Sequence, residues 1–264
     1  MQAQPHLSIV VPAYNEAPRI RGSLDRLIPF FASPHACPGP AEVLIVDDGS
    51  ADETARIVTA FIAGLPAGAP AFRLLRNRRN RGKGYTIKHG VLSAAGTFLL
   101  VSDTDFSTPI EELPRLLGMI ERNECDIAIG SRGLPGSRVE IRQPAWRETL
   151  GRTFNRIVRA ISGLPFMDTQ CGFKVMRREA VLPLFRAARV ERFAYDVEIL
   201  YLARKAGLRI IEEPVIWRNA PGSKVNPITD AFDMLVDVLR IVLRDRRGGY
   251  GAIGAGDPAS GGAG

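Results

Sequence analysis

Two pairs of carboxylates, each closing an apolar run, carry most of the chemistry this chain can offer. Asp47 and Asp48 end LIVDDGS, and Asp103 and Asp105 stand in FLLVSDTDFSTP. Residues two apart in a strand face the same side, so Asp103 and Asp105 can converge on one ion at a strand end. Carboxylates at the carboxyl ends of parallel strands face the crevice where open α/β sheets bind ligands. One pair suits the hydroxyls of a nucleoside. The other suits Mg2+ or Mn2+ held against its phosphates, because hard cations take oxygen ligands. Such an ion offsets charge developing on a leaving nucleotide. The chemistry is that of an enzyme using a nucleotide-activated donor. A D-x-D spacing alone also fits a solvated, helix-capping turn; its place directly after FLLVS favours the ligand-binding reading.

The elements that position these groups alternate. Strands are predicted at residues 7–16, 41–50, in AFRLLRN, in TFLLVSDTD and at 125–132, and helices at 18–31, after Ser50 or Asp52 as cap, at 82–95 and at 109–121. That rhythm predicts an α/β, Rossmann-like, mostly parallel sheet with helices on both faces. The second half departs from it. A helix is expected at 145–162, a short strand pair or turn before a helix at 168–180, an amphipathic helix at 195–207, and a strand in LRIIEEPVIW. A last helix at 228–249 turns Phe232, Leu235, Val236, Leu239, Val242 and Leu243 to one side, for core packing or a dimer contact, and ends in Arg240, Arg244, Arg246 and Arg247. Residues 1–248 read as one domain, 1–130 its nucleotide half and 131–248 its acceptor half and lid. The small residues of 249–264 predict disorder.

A net charge of +7 favours anionic partners without choosing among them. Base binding needs aromatic platforms, and RNRRNRGKGY offers only Tyr85, so nucleic acid is set aside. The three cysteines, 37, 125 and 171, form neither a disulfide framework nor a zinc spacing, which fits a reducing cytoplasmic setting. No uncharged apolar run reaches the roughly 20 residues that span a bilayer. The expectation is a soluble or peripheral protein, on the inner face of the cell membrane if it meets lipid.

NRGKGYTIKHG lacks the order of a P-loop or a dinucleotide fingerprint. Its glycines open a helix and can let backbone approach phosphate or base. His89 has no second ligand at metal spacing and reads as a packed or surface histidine.

VVPAYNE, LIVDDGSADET, NRGKGYTIKHG, SDTDFSTP, GSR, DTQCGFK, VERFAYDVEILYLA and the GSK at 222–224 occur in one order across residues 7–245. That ordered set resembles the family 2 glycosyltransferases of the GT-A fold, and within them the dolichyl-phosphate β-glucosyltransferases, with polyprenyl-phosphate mannosyltransferases as relatives.

The resemblance implies that Pro12, Tyr14 and Glu16 line the nucleotide pocket, with Asp47 or Asp48 on the uridine side and Lys83 near base or diphosphate. Asp103 and Asp105 would hold the donor through the metal. Ser107 stands where the mannosyl relatives often carry Gln, which favours glucose. Asp168 is the implied catalytic base, yet a lipid phosphate is already ionised, so Asp168 is expected to orient the acceptor or stabilise sugar cation character; turn capping is its structural alternative. Gln170 is a sugar neighbour, and Cys171 a buried small residue. Arg132 and Arg147 would grip acceptor phosphate, with Arg142 and Arg152 competing for that role. Lys224 would close over the diphosphate. Asp196 and Glu198 diverge on a helix, and each is expected to position an arginine.

The implied reaction is a single displacement with inversion. A phosphate oxygen of a polyprenyl phosphate attacks the anomeric carbon of UDP-glucose, giving β-glucosyl phosphoryl polyprenol and UDP. Transfer of mannose or an N-acetylhexosamine to a lipid, soluble or glycan acceptor is the alternative within the fold. A module that binds nucleotide sugar without transfer is the alternative outside it.

Overall fold

Unbroken runs of branched apolar residues make LSIVVPA, AEVLIVD and FLLVS interior strands, since a strand covered on both faces has no polar side to alternate with. In the computed structural model, which describes residues 4–33, 36–141, 145–219 and 229–251, these runs are buried almost end to end. The side chains of residues 145–148 lie outside that description.

The first half runs β1 (Leu7–Ala13), α1 (Ile20–Asp25), α2 (Leu27–Ala32), β2 (Ala41–Asp47), α3 (Thr54–Ala63), β3 (Ala71–Arg76), α4 (Lys83–Ser93), β4 (Phe98–Ser102), a 3-10 turn (Ile110–Glu112), α5 (Leu113–Glu121) and β5 (Ile127–Ser131). It continues through β6 (Arg138–Ile141), α6 (Ala145–Ser162), β7 (Phe173–Arg177), α7 (Arg178–Ala187), α8 (Tyr195–Lys205), β8 (Ile210–Pro214), β9 (Ile216–Arg218) and α9 (Thr229–Arg246). The helix expected over 18–31 is two, parted at Arg26. Pro29 has no N–H to return to the carbonyl of Asp25, so the helical ladder breaks there.

The main sheet has seven strands in the order β3-β2-β1-β4-β7-β5-β8. All its pairings are parallel except those of β7, which lies antiparallel between β4 and β5. The segment expected to be a strand pair or turn therefore supplies an interior strand. Phe173 and Val175 join the core under α1, α2, α3 and α5, and Met176 the core under α4 and α6 to α9. LRIIEEPVIW divides at Val215: β8 stays in the sheet and β9 pairs with β6.

Two helices differ from expectation. α8 is not amphipathic in place: Tyr195 to Leu200, Leu202 and Ala203 are all buried. α9 buries Val238 and Ile241, while Phe232, Leu239 and Leu243 of the apolar side face outward, Phe232 at 68% exposure.

Candidate active site

β1 pairs with β2 on one side and β4 on the other, and the chain leaves these strands in opposite directions. That switch point is where open α/β sheets place ligands. A cavity of about 600 Å³ opens there, with Pro12, Tyr14, Glu16, Asp48, Lys83, Asp103 and Asp105 in its wall. Sequence reasoning named all of these. It missed Arg19, Arg81, Arg192, Phe193 and Asp230, which line it too.

The two aspartates ending β2 do different work. Asp47 is fully buried and accepts from Ser50 N at 3.0 Å and Arg76 Nε at 2.9 Å, outside the cavity wall. Asp48 accepts from Asn77 Nδ2 (2.7 Å), Arg81 N (2.9 Å) and Gly82 N (2.8 Å), fastening the loop before α4. His89 Nδ1 lies 2.8 Å from Asn77 Oδ1, so this histidine steadies the residue that holds Asp48.

The glycines of NRGKGY admit another part of the chain. A Cβ on Gly82 would meet the Glu191 carbonyl at 2.6 Å, and one on Gly84 would meet the Val190 carbonyl and Tyr195 Cβ at 2.6 Å. Tyr85 N donates to the same Glu191 carbonyl at 3.0 Å. These glycines make room for residues 190–195, which carry Arg192 and Phe193 to the cavity, and Gly82 itself stands in the cavity wall.

Lys83 Nζ sits 2.6 Å from Asp103 Oδ1. Burial pulls this lysine's pKa down, but Asp103 and Asp196 outweigh it and leave the ammonium above its ordinary value. Asp105 accepts from Ser107 N at 2.9 Å and faces Arg19 Nη1 at 3.7 Å. Burial first, and then the charge of Asp103, push its carboxyl above the usual range. The turn is held by Phe106, a buried aromatic with φ of 46°, a conformation bulky residues rarely adopt. Packing in the core offsets that cost and fixes where the two carboxylates point.

Asp103 also touches the second half. A Cβ on Gly172 would fall 2.7 Å from Asp103 Oδ1 and closer to Oδ2 and Cγ, so only glycine lets DTQCGFK lie against this carboxylate. Upstream, Asp168 receives Arg132 with Nε at 2.6 Å and Nη2 at 2.9 Å, and the Arg132 amide at 3.0 Å. Burial would raise the Asp168 carboxyl, but the charge and hydrogen bonds of Arg132 prevail and hold it below the usual range. Glu212 on β8 secures the turn, accepting from Met167 N at 2.8 Å and Asp168 N at 2.7 Å. Neither Arg132, Asp168 nor Gln170 is in the cavity wall, and Gln170 Nε2 lies 3.0 Å from Met234 Sδ. Cys171 is buried, and burial raises its thiol pKa.

Of the arginine partners expected for α8, among the described residues Glu198 has one in Arg244 and Asp196 has none. Asp196 pairs with Lys174 rather than an arginine. Glu198 accepts from Arg189 N, Val190 N and Tyr250 Oη, with Arg244 farther off at 3.8 Å. The side chain of Arg147, Arg142 and Lys224 lie outside the described residues.

Residues 8–185 match the model of glycosyl transferase family 2. The chain belongs to that family. This glycosyltransferase is 38% identical over 245 residues to a dolichyl-phosphate beta-glucosyltransferase of Dictyostelium discoideum, covering 90% of this chain and 74% of the relative. It is 34% identical to the mouse protein of that name, over 92% of this chain and 77% of the other. Among solved structures, it superposes with a TM-score of 0.63 on Mycobacterium tuberculosis glucosyl-3-phosphoglycerate synthase in complex with Mn2+, UDP and glucosyl-3-phosphoglycerate. That match covers 98% of this chain and 82% of the other at 19% identity, which establishes the shared GT-A fold. The glycosyltransferase is thus an enzyme of the α/β class its strand rhythm predicts.

Proposed function

We propose that this glycosyltransferase moves glucose from UDP-glucose to a polyprenyl phosphate with inversion, giving β-glucosyl phosphoryl polyprenol and UDP. The observation that carries the reading is the position of Asp103: it meets Lys83 from the donor side and Gly172 from DTQCGFK, joining two substrate regions at one carboxylate. The names of the relatives at 34–38% identity support the choice of sugar and acceptor.

Asp103 and Asp105 are the residues that would hold Mg2+ or Mn2+. They fit: two acidic oxygen donors face one cavity, and Asp103 already raises the pKa of Asp105, a like-charge crowding that a divalent ion relieves. Among the described residues no group of three or more His, Cys, Asp or Glu could hold a metal. Bound there, the ion would neutralise charge on the leaving UDP.

The chain's own residues divide the remaining work. Lys83, at the first turn of α4, presents its ammonium to the diphosphate once it exchanges Asp103 for it. Pro12, Tyr14, Glu16 and Asp48 shape the nucleoside end, and Asp47, tied to Ser50 and Arg76, holds the turn after β2. Asp168 acts as a positioning residue, since both its oxygens are engaged by Arg132 and an acceptor phosphate needs no base. Arg132, Arg147 and Gln170 serve the acceptor side, and Lys224 the diphosphate. Holding both reactants in line supplies the entropic advantage.

Among the described residues no helix is long and apolar enough to cross a membrane. The acceptor is reached by peripheral docking. α9 exposes Phe232, Leu239 and Leu243 along with Arg240 and Arg246, Arg247 follows it, and the neighbouring α6 exposes Leu150 and Ile157 along with Arg152 and Arg156. Apolar side chains among arginines suit the headgroup boundary of an anionic leaflet.

The test is transfer of radiolabelled sugar from a panel of UDP- and GDP-sugars into short-chain polyprenyl phosphate, with Mn2+, Mg2+ or neither. Labelled lipid from UDP-glucose alone is expected. Labelled lipid from GDP-mannose instead would overturn the donor assignment, and UDP release without labelled lipid the acceptor assignment.

A further inference from the structure

Four cationic side chains, Arg19, Arg81, Lys83 and Arg192, line the cavity. Three are tightly engaged. Glu16 takes Arg19 through two nitrogens, one at 2.8 Å. Glu191 takes Arg81, whose guanidinium lies 3.9 Å from the centre of the Tyr85 ring. Asp103 takes Lys83 at 2.6 Å.

Arg192 is held differently. Nη1 lies 3.3 Å from Asp233 Oδ2 and Nη2 3.5 Å from Asp230 Oδ1, and the side chain keeps 56% of its exposure. Ion pairs this long and exposed contribute little, so a better anion displaces them readily. Its stem packs against Gly82, where an added Cβ would lie 3.2 Å from Arg192 Cγ; this sets the arginine at the start of α4, in the same cavity wall as Lys83. A guanidinium offers paired donors that match two oxygens of one phosphate.

We propose that Arg192 grips a substrate phosphate in this cavity, leaving Asp230 and Asp233 for phosphate oxygens as substrate arrives. The inference rests on the reading that the cavity receives phosphate-bearing substrates. The donor diphosphate and the acceptor phosphate present the same chemistry. Asp233 is not in the cavity wall and competes with that phosphate for the guanidinium. Neutralising Asp233 therefore strengthens binding.

The experiment measures UDP affinity with Mn2+ by calorimetry, and KM for UDP-glucose and farnesyl phosphate, in the full chain and in Arg192→Gln, Arg192→Lys and Asp233→Asn, each checked by thermal melting. Losing a charge-assisted bidentate contact should weaken one ligand about tenfold or more. Weaker UDP binding in Arg192→Gln assigns the donor; unchanged UDP affinity with a raised KM for farnesyl phosphate assigns the acceptor. Arg192→Lys, with charge but no fork, falls between. Asp233→Asn should tighten the same ligand, whereas a residue that merely ties the loop to α9 would loosen it. An active wild type whose Arg192→Gln form keeps every constant overturns the proposal alone, as does weaker binding in Asp233→Asn. A wild type that neither binds UDP nor transfers sugar overturns the functional reading and this proposal together.

Discussion

Replacing Gly172 with alanine sets one methyl group against one carboxylate. The added Cβ would lie 2.7 Å from Asp103 Oδ1, with Oδ2 and Cγ nearer still. Carbon and neighbouring heavy atoms settle at about 3.5–4.0 Å, so a displacement of at least about 1 Å is required, and more for the nearer atoms. The backbone is poorly placed to supply it, because Phe173 pairs with Ser102 at the end of β4 and Cys171 is buried. The carboxylate is a side-chain end and can turn, leaving Lys83 and its alignment with Asp105. A misplacement of about 1 Å costs on the order of 10²-fold in rate, near 2.7 kcal/mol of barrier. Gly172 has no positive φ, so alanine suits its backbone, and the fold should lose about 1 kcal/mol or less. The expected outcome is kcat/KM and Mn2+ affinity with UDP each reduced by one to two orders of magnitude, with Tm lower by about 2–4 °C at most. Full activity with undiminished Mn2+ affinity would refute the reasoning, and a collapse of Tm would show that backbone rather than carboxylate gives way.

Three other perturbations separate the parts. Asp168→Asn leaves Arg132 without its counter-charge; because that arginine keeps 35% side-chain exposure, the loss should be about 2–3 kcal/mol rather than the 3–5 of a fully buried pair, read by urea unfolding. The folded carboxyl lies below its unfolded value, so the pair's contribution is complete above the unfolded pKa of about 3.9 and fades only as pH falls through the folded one. The Asp168→Asn deficit should therefore be equal at pH 8 and pH 6, and a deficit that halves between them would contradict this account. Asp105→Asn, or chelation of metal with EDTA, should abolish transfer with Tm kept within a few degrees; transfer that persists in EDTA would remove the metal from the scheme. Anionic vesicles should recruit the chain and release it in salt, and Phe232→Ala with Leu239→Ala should weaken recruitment. Co-sedimentation indifferent to both would exclude docking through α9.

The donor side was legible because its strands are uninterrupted apolar runs and their ends are local motifs. β1, β2, β4 and β5 announce themselves, and the carboxyl ends of the first three carry Tyr14, Asp48, Asp103 and Asp105 to one cavity. β7 was obscured by Lys174, a charge in the middle of a buried strand, which reads as a turn until Asp196 is seen beside it. The role of Asp168 depends on Arg132, a partner 36 residues away that no spacing reveals. Arg192 stands in VERFAYDVEILYLA, but nothing in that stretch tells that this arginine, one of 35 basic residues, faces the cavity. The glycines around Lys83 were visible, but what approached them was a loop more than a hundred residues later.

The antiparallel position of β7 bears on how the protein is made. Synthesis proceeds from the amino terminus, so β4 and β5 emerge with no partner between them, each a row of open backbone donors and acceptors. They are joined only when residues 173–177 are available, a late insertion rather than an addition at the margin. A nascent chain halted before that point leaves the facing edges of β4 and β5 open and lacks the Gly172 side of Asp103, so protection by chaperones should matter most over the interval in which β7 is translated.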